Sequence, residues 1–489
     1  MVFYWSVFIT AIFVIWGGIT PMGLASAAKI MLNFTIEKFG WFYLLASFSF
    51  LLFSIILAFS KYGTIRLGQD GDKPEYANAT WFAMLFSAGM GIGLVFWGVA
   101  EPIDHYLSPP MNVQPRTPEA ARLAMQYSFF HWGLHPWGIY TVIALALAYF
   151  NFRKGYKGLI SSTFQPILGA KVNGPIGKCI DILAVIATAF GVATSLGLGT
   201  LQINGGLSYL FGIPNNNTIH MLIILSITVL YLISATTGLD RGIKILSNLN
   251  LILAVALMVF ALMLGPTAFI LEIFTLTMGN YLQNIIQMSL RLTPFTQGTW
   301  VGDWTLFYWA WWIAWAPFVG TFIARVSKGR TIREFITGVL LVPSLFSFLW
   351  FSVFGGAALK FETFDQIKVA EAVQTDVTSA LFFTLQQFPI GGLLSMLAIF
   401  LIVTFFITSA DSATFVLGML SSNGDLSPSN KVKIAWGVLQ SAVATVLIFS
   451  GGLQGLQTAS IVTALPFTLI MVLMCYSLVK ALKAERNKH

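Results

Sequence analysis

The stretch "FYWAWWIAWAPFVG", residues 307–320, sets Trp309, Trp311, Trp312 and Trp315 inside an apolar run long enough to cross a bilayer. Tryptophan in membranes usually sits at the interface, where the ring lies at headgroup level and the indole N–H reaches water. Trp300, Trp304 and Trp350 fall near expected span ends and fit that place. The four indoles between 309 and 315 lie too deep for all of them to be interfacial. At 100° per residue, Trp309, Trp312 and Trp315 follow one helical face and Trp311 points nearly opposite. Indoles therefore occupy two faces, and at least one is expected to line a cavity.

The surrounding sequence places this run in a membrane. Of 489 residues, 57% are hydrophobic and 9% charged, with a mean hydropathy of +0.79, which excludes a soluble globule. Crossing roughly 30 Å of hydrocarbon takes about 20 apolar residues as helix. Such runs recur at 2–21, 40–60, 79–102, 129–150, 180–200, 218–235, 245–266, 303–325, 336–357, 391–420, 433–450 and 457–479. The fold class is an all-α polytopic membrane protein with about twelve transmembrane helices. The first run lacks a basic flank and a small-residue cleavage site, so it reads as a retained span. Cys179 and Cys475 are far apart and suggest neither a disulfide framework nor a metal site.

A net charge of +8 raises the question of nucleic acid, but the charge sorts by side of the membrane. With the N-terminus inside, most of the 27 Lys and Arg lie in cytoplasmic loops, among them Arg153, Lys154, Arg325, Lys328, Arg330, Arg333, Lys480 and Lys483. The positive-inside bias puts both termini in the cytoplasm, and no nucleic-acid partner is implied. "RVSKGRTIREF" (325–335) is expected to meet anionic lipid. "YLQNIIQMSLRL" (281–292) carries Leu282, Ile285, Ile286 and Leu290 at helical spacing beside polar residues, which predicts an amphipathic helix on the outer surface.

Two spans look interrupted. "SAGMGIGLVFWG" (87–98) holds Gly89, Gly91, Gly93 and Gly98, each costing a helix about 0.8–1 kcal/mol relative to alanine. "FFITSADSATF" (405–415) gathers Thr408, Ser409, Asp411 and Ser412 at mid-span. Unwound backbone near the midplane of a secondary transporter exposes carbonyls that can coordinate Na⁺, and close packing through small residues is the plainer alternative. A second aromatic group, Trp132, Trp137 and Tyr140, lies in "HWGLHPWGIY" (131–140), where Pro136 is expected to loosen the helix. Electron-rich faces around a dry cavity suit a quaternary ammonium, each cation–π contact contributing about 0.5–2 kcal/mol; ordinary aromatic packing is the other reading. A bare cation in a membrane is usually met by an acidic side chain. Glu101, Asp104, Asp303 and Asp411 sit away from the aromatic region by sequence, which favours a zwitterion bringing its own carboxylate. His131 and His135 have no carboxylate or Cys at ligand spacing, so no metal is expected. Neither G-x-S-x-G nor a phosphate loop occurs, and no enzyme or ATP-driven pump is indicated.

Taken together, "GMGIGLVFWGVAEP" (89–102), "FFHWGLHPWGIY" (129–140) and "WTLFYWAWWIAWAPFVGTFIARVSKGRTIREF" (304–335) resemble the betaine/carnitine/choline transporter family, as do "ATAFGVATSLGLGTLQI" (187–203) and "FFITSADSATFVLGM" (405–419). The resemblance implies a leucine-transporter-like core of two five-helix inverted repeats, 79–266 and 303–482. Two peripheral helices precede it (1–60), an outer loop with a surface helix joins the repeats (267–302), and a short cytoplasmic tail follows (483–489). It implies alternating access in a cell (plasma or inner) membrane and a homotrimer. By position it assigns Trp132, Trp137, Tyr140 and Trp312 to a trimethylammonium cage with Trp315 beside it, and backbone around Met90 and Ser195 to the carboxylate end. One sodium would be held by Ala88, Met90, Phe405, Thr408 and Ser409 beside the unwound Gly89, Gly91 and Gly93; a second would lie near Thr188 and Phe318. Val192 stands where the sodium-coupled pattern has a further hydroxyl.

The resemblance implies sodium symport of glycine betaine, with Na⁺ as coupling ion and no other cofactor. Within the family, G-M-G-I-G goes with glycine betaine and an acid at the position of Gly93 with choline. Exchangers carry a fixed cation near the ion site, and no Arg or Lys lies in 390–420. The alternatives are a proton-coupled or exchange carrier of choline or another quaternary ammonium compound and, more remotely, a channel, whose signature is rings of charge or carbonyls.

Overall fold

Hydrocarbon offers no partner for a backbone amide, so chain that crosses it must pair its own N–H and C=O groups as helix. In the computed structural model the described residues form helices, turns and no strand. They comprise the whole chain except Met90, Gly238, Leu239, Gln297 and 487–489; for Phe86, Ala88, Gly89, 240–244 and Arg486 only the backbone is described. The helices are, in order, α1 (Val2–Ile19), α2 (Pro21–Phe59), α3 (Asn78–Gly89), α4 (Ile92–Leu107), α5 (Pro118–Trp132), α6 (Leu134–Ala148), the short α7 (Gln165–Leu168), α8 (Pro175–Phe211), α9 (Asn217–Thr237), α10 (Asp240–Leu264), α11 (Thr267–Ser289), α12 (Phe307–Val326), α13 (Ile332–Thr363), the short α14 (Val369–Thr375) and α15 (Ala380–Leu385), α16 (Gly391–Ser421) and α17 (Asn430–Arg486).

Ten helical stretches among the described residues are long and apolar enough to cross a membrane. Two further crossings are hidden by geometry, which accounts for the twelve expected runs. The third span is broken into α3 and α4, each too short alone. The last stretch, α17, turns at Gly452, whose φ of 55° and ψ of −135° lie where a side chain is rarely tolerated, and so contains the final two spans.

The two predicted interruptions fare differently. Gly91 is extended (φ −166°, ψ 179°) and separates α3 from α4, so the glycine-rich span is broken. Gly89 closes α3, while Gly93 lies within the first turn of α4 and is helical. The Ser/Thr-rich stretch is not broken: α16 runs unbroken from 391 to 421, its hydroxyls folded back onto carbonyls of the preceding turn, as Thr408 Oγ1 onto Thr404 O at 3.0 Å. A second break occurs at Gly133 (φ −94°, ψ −132°), between α5 and α6. It lies upstream of Pro136, which sits in the first turn of α6, where its missing N–H costs nothing.

Helix starts follow local chemistry. Thr331 accepts from Glu334 N while Glu334 reaches back to Thr331 N, a capping box that opens α13. Thr117 caps α5 through Ala120 N at 3.2 Å. The basic segment before α13 is used inside the protein. Arg330 is buried, stacks 3.8 Å from the Trp81 ring centroid and donates to Asn78 Oδ1 and Tyr76 O; Arg333 donates to Ala58 O. A short antiparallel bridge of Arg66 with Thr331 joins the two segments.

α12 is the central helix, packed on α6, α8 and α17, and its residues 307–314 are buried without interruption. Trp350, expected at an interface, is also fully buried and donates to Leu94 O at 3.0 Å. The predicted helix over 281–292 is shifted: α11 starts at Thr267 and stops at Ser289, so Leu290 lies beyond its end; within it Tyr281 and Met288 turn inward and Leu282 and Ile286 outward. The expected tail from 483 continues α17 to Arg486, and Glu485 is buried against Tyr149, Arg153 and Lys154.

The break at Gly133 admits no side chain: an added Cβ would lie 2.6 Å from Phe129 O and 2.7 Å from the Phe348 ring. Gly133→Ala is therefore expected to destabilise the protein by about 1–3 kcal/mol, the range for overpacking. Thermal unfolding in detergent measures it, and an unshifted midpoint would show that the break relaxes freely.

Candidate functional site

The two breaks face each other across one cavity. Gly91, Ile92, Gly93 and Leu94 from α4 line it, with Trp132, Pro136, Trp137 and Tyr140 from either side of the second break. Trp311, Trp312 and Trp315 of α12 close it, and Ser195, Ser347 and Ser409 add hydroxyls from α8, α13 and α16. About 570 Å³ of space free of protein atoms, part of it open to solvent, lies among these residues.

The four rings assigned to a cage lie together. Trp132 meets Trp312 edge-on with centroids 4.8 Å apart, Tyr140 meets Trp312 at 6.3 Å, and Trp137 meets Tyr140 at 5.4 Å. Each pair is steeply inclined, 76–78°, and all four residues line the cavity. Trp315 also borders the cavity, its indole donating to Gly191 O at 2.6 Å and its ring edge-on to Phe318 at 5.2 Å. Trp311 does not point away: it stacks on Trp312 at 4.7 Å and 16° and lines the same cavity. Adjacent positions differ by 100°, but an indole is long enough to fold across that angle. Trp309 is the one turned away, stacked on His135 at 5.0 Å.

Gly93 owes its identity to this packing. A Cβ there would lie 2.4 Å from Trp311 Cη2 and 3.2 Å from Trp132 Cη2. The absent side chain lets two indoles of different helices close over α4.

Of the residues assigned to a first ion, Ser409 reaches the cavity beside Gly91, and Phe405, Thr408 and Ser409 share α16. Ala88 lies in the last turn of α3 with only its backbone described, and Met90 lies outside the described residues. Thr408 Oγ1 also accepts from Asn250 Nδ2 at 3.0 Å. Asn250 went unread in the sequence, where a polar residue inside the apolar run 245–266 is its only signal. Of the second set, Thr188 on α8 donates to Ala184 O at 2.8 Å. Phe318 on α12 is carried toward α8 by the Trp315–Gly191 bond, and Val192 is buried without a hydroxyl to offer.

Glu101 departs furthest from its sequence reading. It lies in the aromatic region, wholly buried, and accepts from Trp132 Nε1 at 2.8 Å and from the Tyr308 hydroxyl. Its other oxygen lies 2.7 Å from His131 Nδ1 and 3.2 Å from His105 Nε2. Glu101 lies on α4 and His131 and Trp132 on α5, so this proximity between separate helices is hidden in the sequence; the i, i+4 spacing of Glu101 and His105 was the visible hint. Glu101, His105 and His131 also offer ligand atoms within 4.8 Å of one another. His131 and His135 do not act together, since His135 Nε2 meets Ser289 Oγ at 2.8 Å instead.

The betaine/carnitine/choline family transporter profile matches residues 1–487. The chain belongs to that family. It is 54% identical to the glycine betaine transporter OpuD of Bacillus subtilis (strain 168), over 100% of this chain and 95% of the relative. It is 51% identical to the ectoine/hydroxyectoine transporter of Virgibacillus pantothenticus, over 100% and 98%. It is 50% identical to the probable glycine betaine transporter of Desulfitobacterium hafniense (strain Y51), over 99% and 97%. These relatives are named as transporters, and with the many apolar helices the family makes this chain a multi-pass membrane protein.

Gly93→Ala is expected to lower transport by forcing Trp311 aside, and Trp311→Phe in the same chain to restore part of it. Initial uptake rates in vesicles check this; a double variant no better than Gly93→Ala would dissociate the glycine from the indole.

Proposed function

We propose that this protein imports glycine betaine across the cell membrane by sodium symport with alternating access. The carrying observation is the convergence of Trp132, Trp137, Tyr140 and Trp312 on one cavity. A trimethylammonium group has no N–H to donate and is held by the faces of such rings. Ser195 and the backbone at the α3–α4 break serve the carboxylate of the zwitterion. The relatives named for glycine betaine support this substrate; the relative named for ectoine and hydroxyectoine makes those solutes the alternative cargo.

Sodium binds where α16 passes the α3–α4 break, through the hydroxyls of Thr408 and Ser409, the carbonyl of Phe405 and backbone at Ala88 and Met90. Broken transmembrane helices are where secondary transporters commonly place coupling ions. A second ion near Thr188 and Phe318 has one ligand fewer because of Val192. The two repeats, 79–266 and 303–482, rock about this site, both termini face the cytoplasm, and the protein assembles as a homotrimer.

The test is uptake of labelled glycine betaine in reconstituted vesicles with and without a Na⁺ gradient, with choline, carnitine, proline and ectoine as competitors. Na⁺-dependent, saturable uptake competed poorly by choline is expected; uptake indifferent to Na⁺ would point to the proton-coupled or exchange alternative. Trp312→Leu is expected to weaken betaine binding by roughly 2- to 30-fold, the equivalent of one cation–π contact, and near-normal affinity would remove the cage. Thr408→Ala should raise the Na⁺ concentration giving half-maximal uptake, and an unaltered sodium dependence would remove that ligand.

A further inference from the structure

A carboxylate buried in a membrane core is costly and is retained where it acts. Glu101 is wholly buried, its neighbours of opposite or potential charge are only His105 and His131 among the described ion pairs, and neither oxygen reaches the cavity lining. What it touches instead is the cage. Trp132 Nε1–H donates to Oε2, and Trp132 is the ring that meets Trp312 edge-on. Tyr308, whose hydroxyl donates to the same oxygen, lies nearly parallel to Trp312 at 5.9 Å and 21°. His131 is oriented from its far side by Thr305 Oγ1 at 3.0 Å, and its own carbonyl accepts from Trp312 Nε1 at 3.1 Å.

We propose that Glu101 is a positioning and specificity-determining residue that acts through Trp132 and Tyr308, its carboxylate making the cage select a cation over a neutral group of the same shape. Two effects follow from the geometry. The indole N–H is a donor only, so a carboxylate on it fixes the ring plane. A charge-assisted hydrogen bond in a low-dielectric core also polarises the donor, shifting electron density toward the indole face and strengthening its attraction for a quaternary ammonium. Four groups, each able to donate, surround the two oxygens of Glu101. This inference rests on the trimethylammonium reading of the cage.

The experiment compares glycine betaine with 3,3-dimethylbutanoate, in which a neutral carbon replaces the nitrogen, as ligands of the full-length protein in detergent, by tryptophan fluorescence. Glu101→Gln keeps size and an acceptor but removes charge. It is expected to weaken betaine by about tenfold while changing 3,3-dimethylbutanoate less than twofold. Trp132→Phe, which keeps a ring but deletes the N–H, should show the same selective loss, and adding Glu101→Gln to it should cause little more. Equal losses for both ligands, or no loss for betaine, overturn the proposal. If Glu101→Gln does not yield folded protein, Trp132→Phe decides alone: a loss shared by both ligands overturns the role of Glu101. Wild-type protein that ignores betaine overturns the cage reading itself, and the inference with it.

Discussion

Every interruption of a membrane helix frees backbone groups that lipid cannot satisfy, and at Gly133 side chains of neighbouring helices take two of them up. Trp312 donates to His131 O near the end of α5, and the Tyr281 hydroxyl accepts from Leu134 N at the start of α6, at 3.1 Å. Close to the other break, Trp350 donates to Leu94 O and Gln202 Nε2 to Val95 O, carbonyls that lie within α4, so these bonds tie α13 and α8 to that helix. The indoles thus serve the backbone before they serve any ligand. That requirement ties α12 and α11 to the break at Gly133, and the cavity lies between the two breaks.

This arrangement explains why so many tryptophans occupy one helix. Trp312 and Trp315 each spend the N–H on a carbonyl of a different helix, His131 O and Gly191 O, and each presents ring surface to the cavity. Trp311 contributes ring surface by stacking on Trp312. Trp309 packs α12 against Phe130 and His135 and leaves the cavity alone. One helix therefore closes the site, ties two neighbours and fills the core behind it.

Glycine gives the complementary half. Gly93 lets Trp311 and Trp132 close on α4, and Gly98 lies under Trp350, whose Nε1 would be 2.7 Å from an added Cβ. Large rings and missing side chains meet in pairs, so the site is specified by shape across helices as much as by chemistry. The same pairing means that an acid at Gly93 cannot be added without displacing an indole, a steric demand invisible in the motif itself.

Hydropathy alone determined that the chain is a helical membrane protein with twelve crossings, because a span must be long, apolar and internally hydrogen-bonded wherever it lies. The glycine-rich break was also legible from residue type and spacing, and the grouping of Trp132, Trp137, Tyr140 and Trp312 at one site came from the family resemblance of their motifs. Tertiary structure decided the rest. The break at Gly133, the unbroken course of α16, the inward turn of Trp311, the burial of Trp350 and the place of Glu101 among the rings all depend on which helix packs against which. Sequence periodicity gives the face a residue occupies on its own helix. Which neighbour covers that face is set by the packing of the whole bundle.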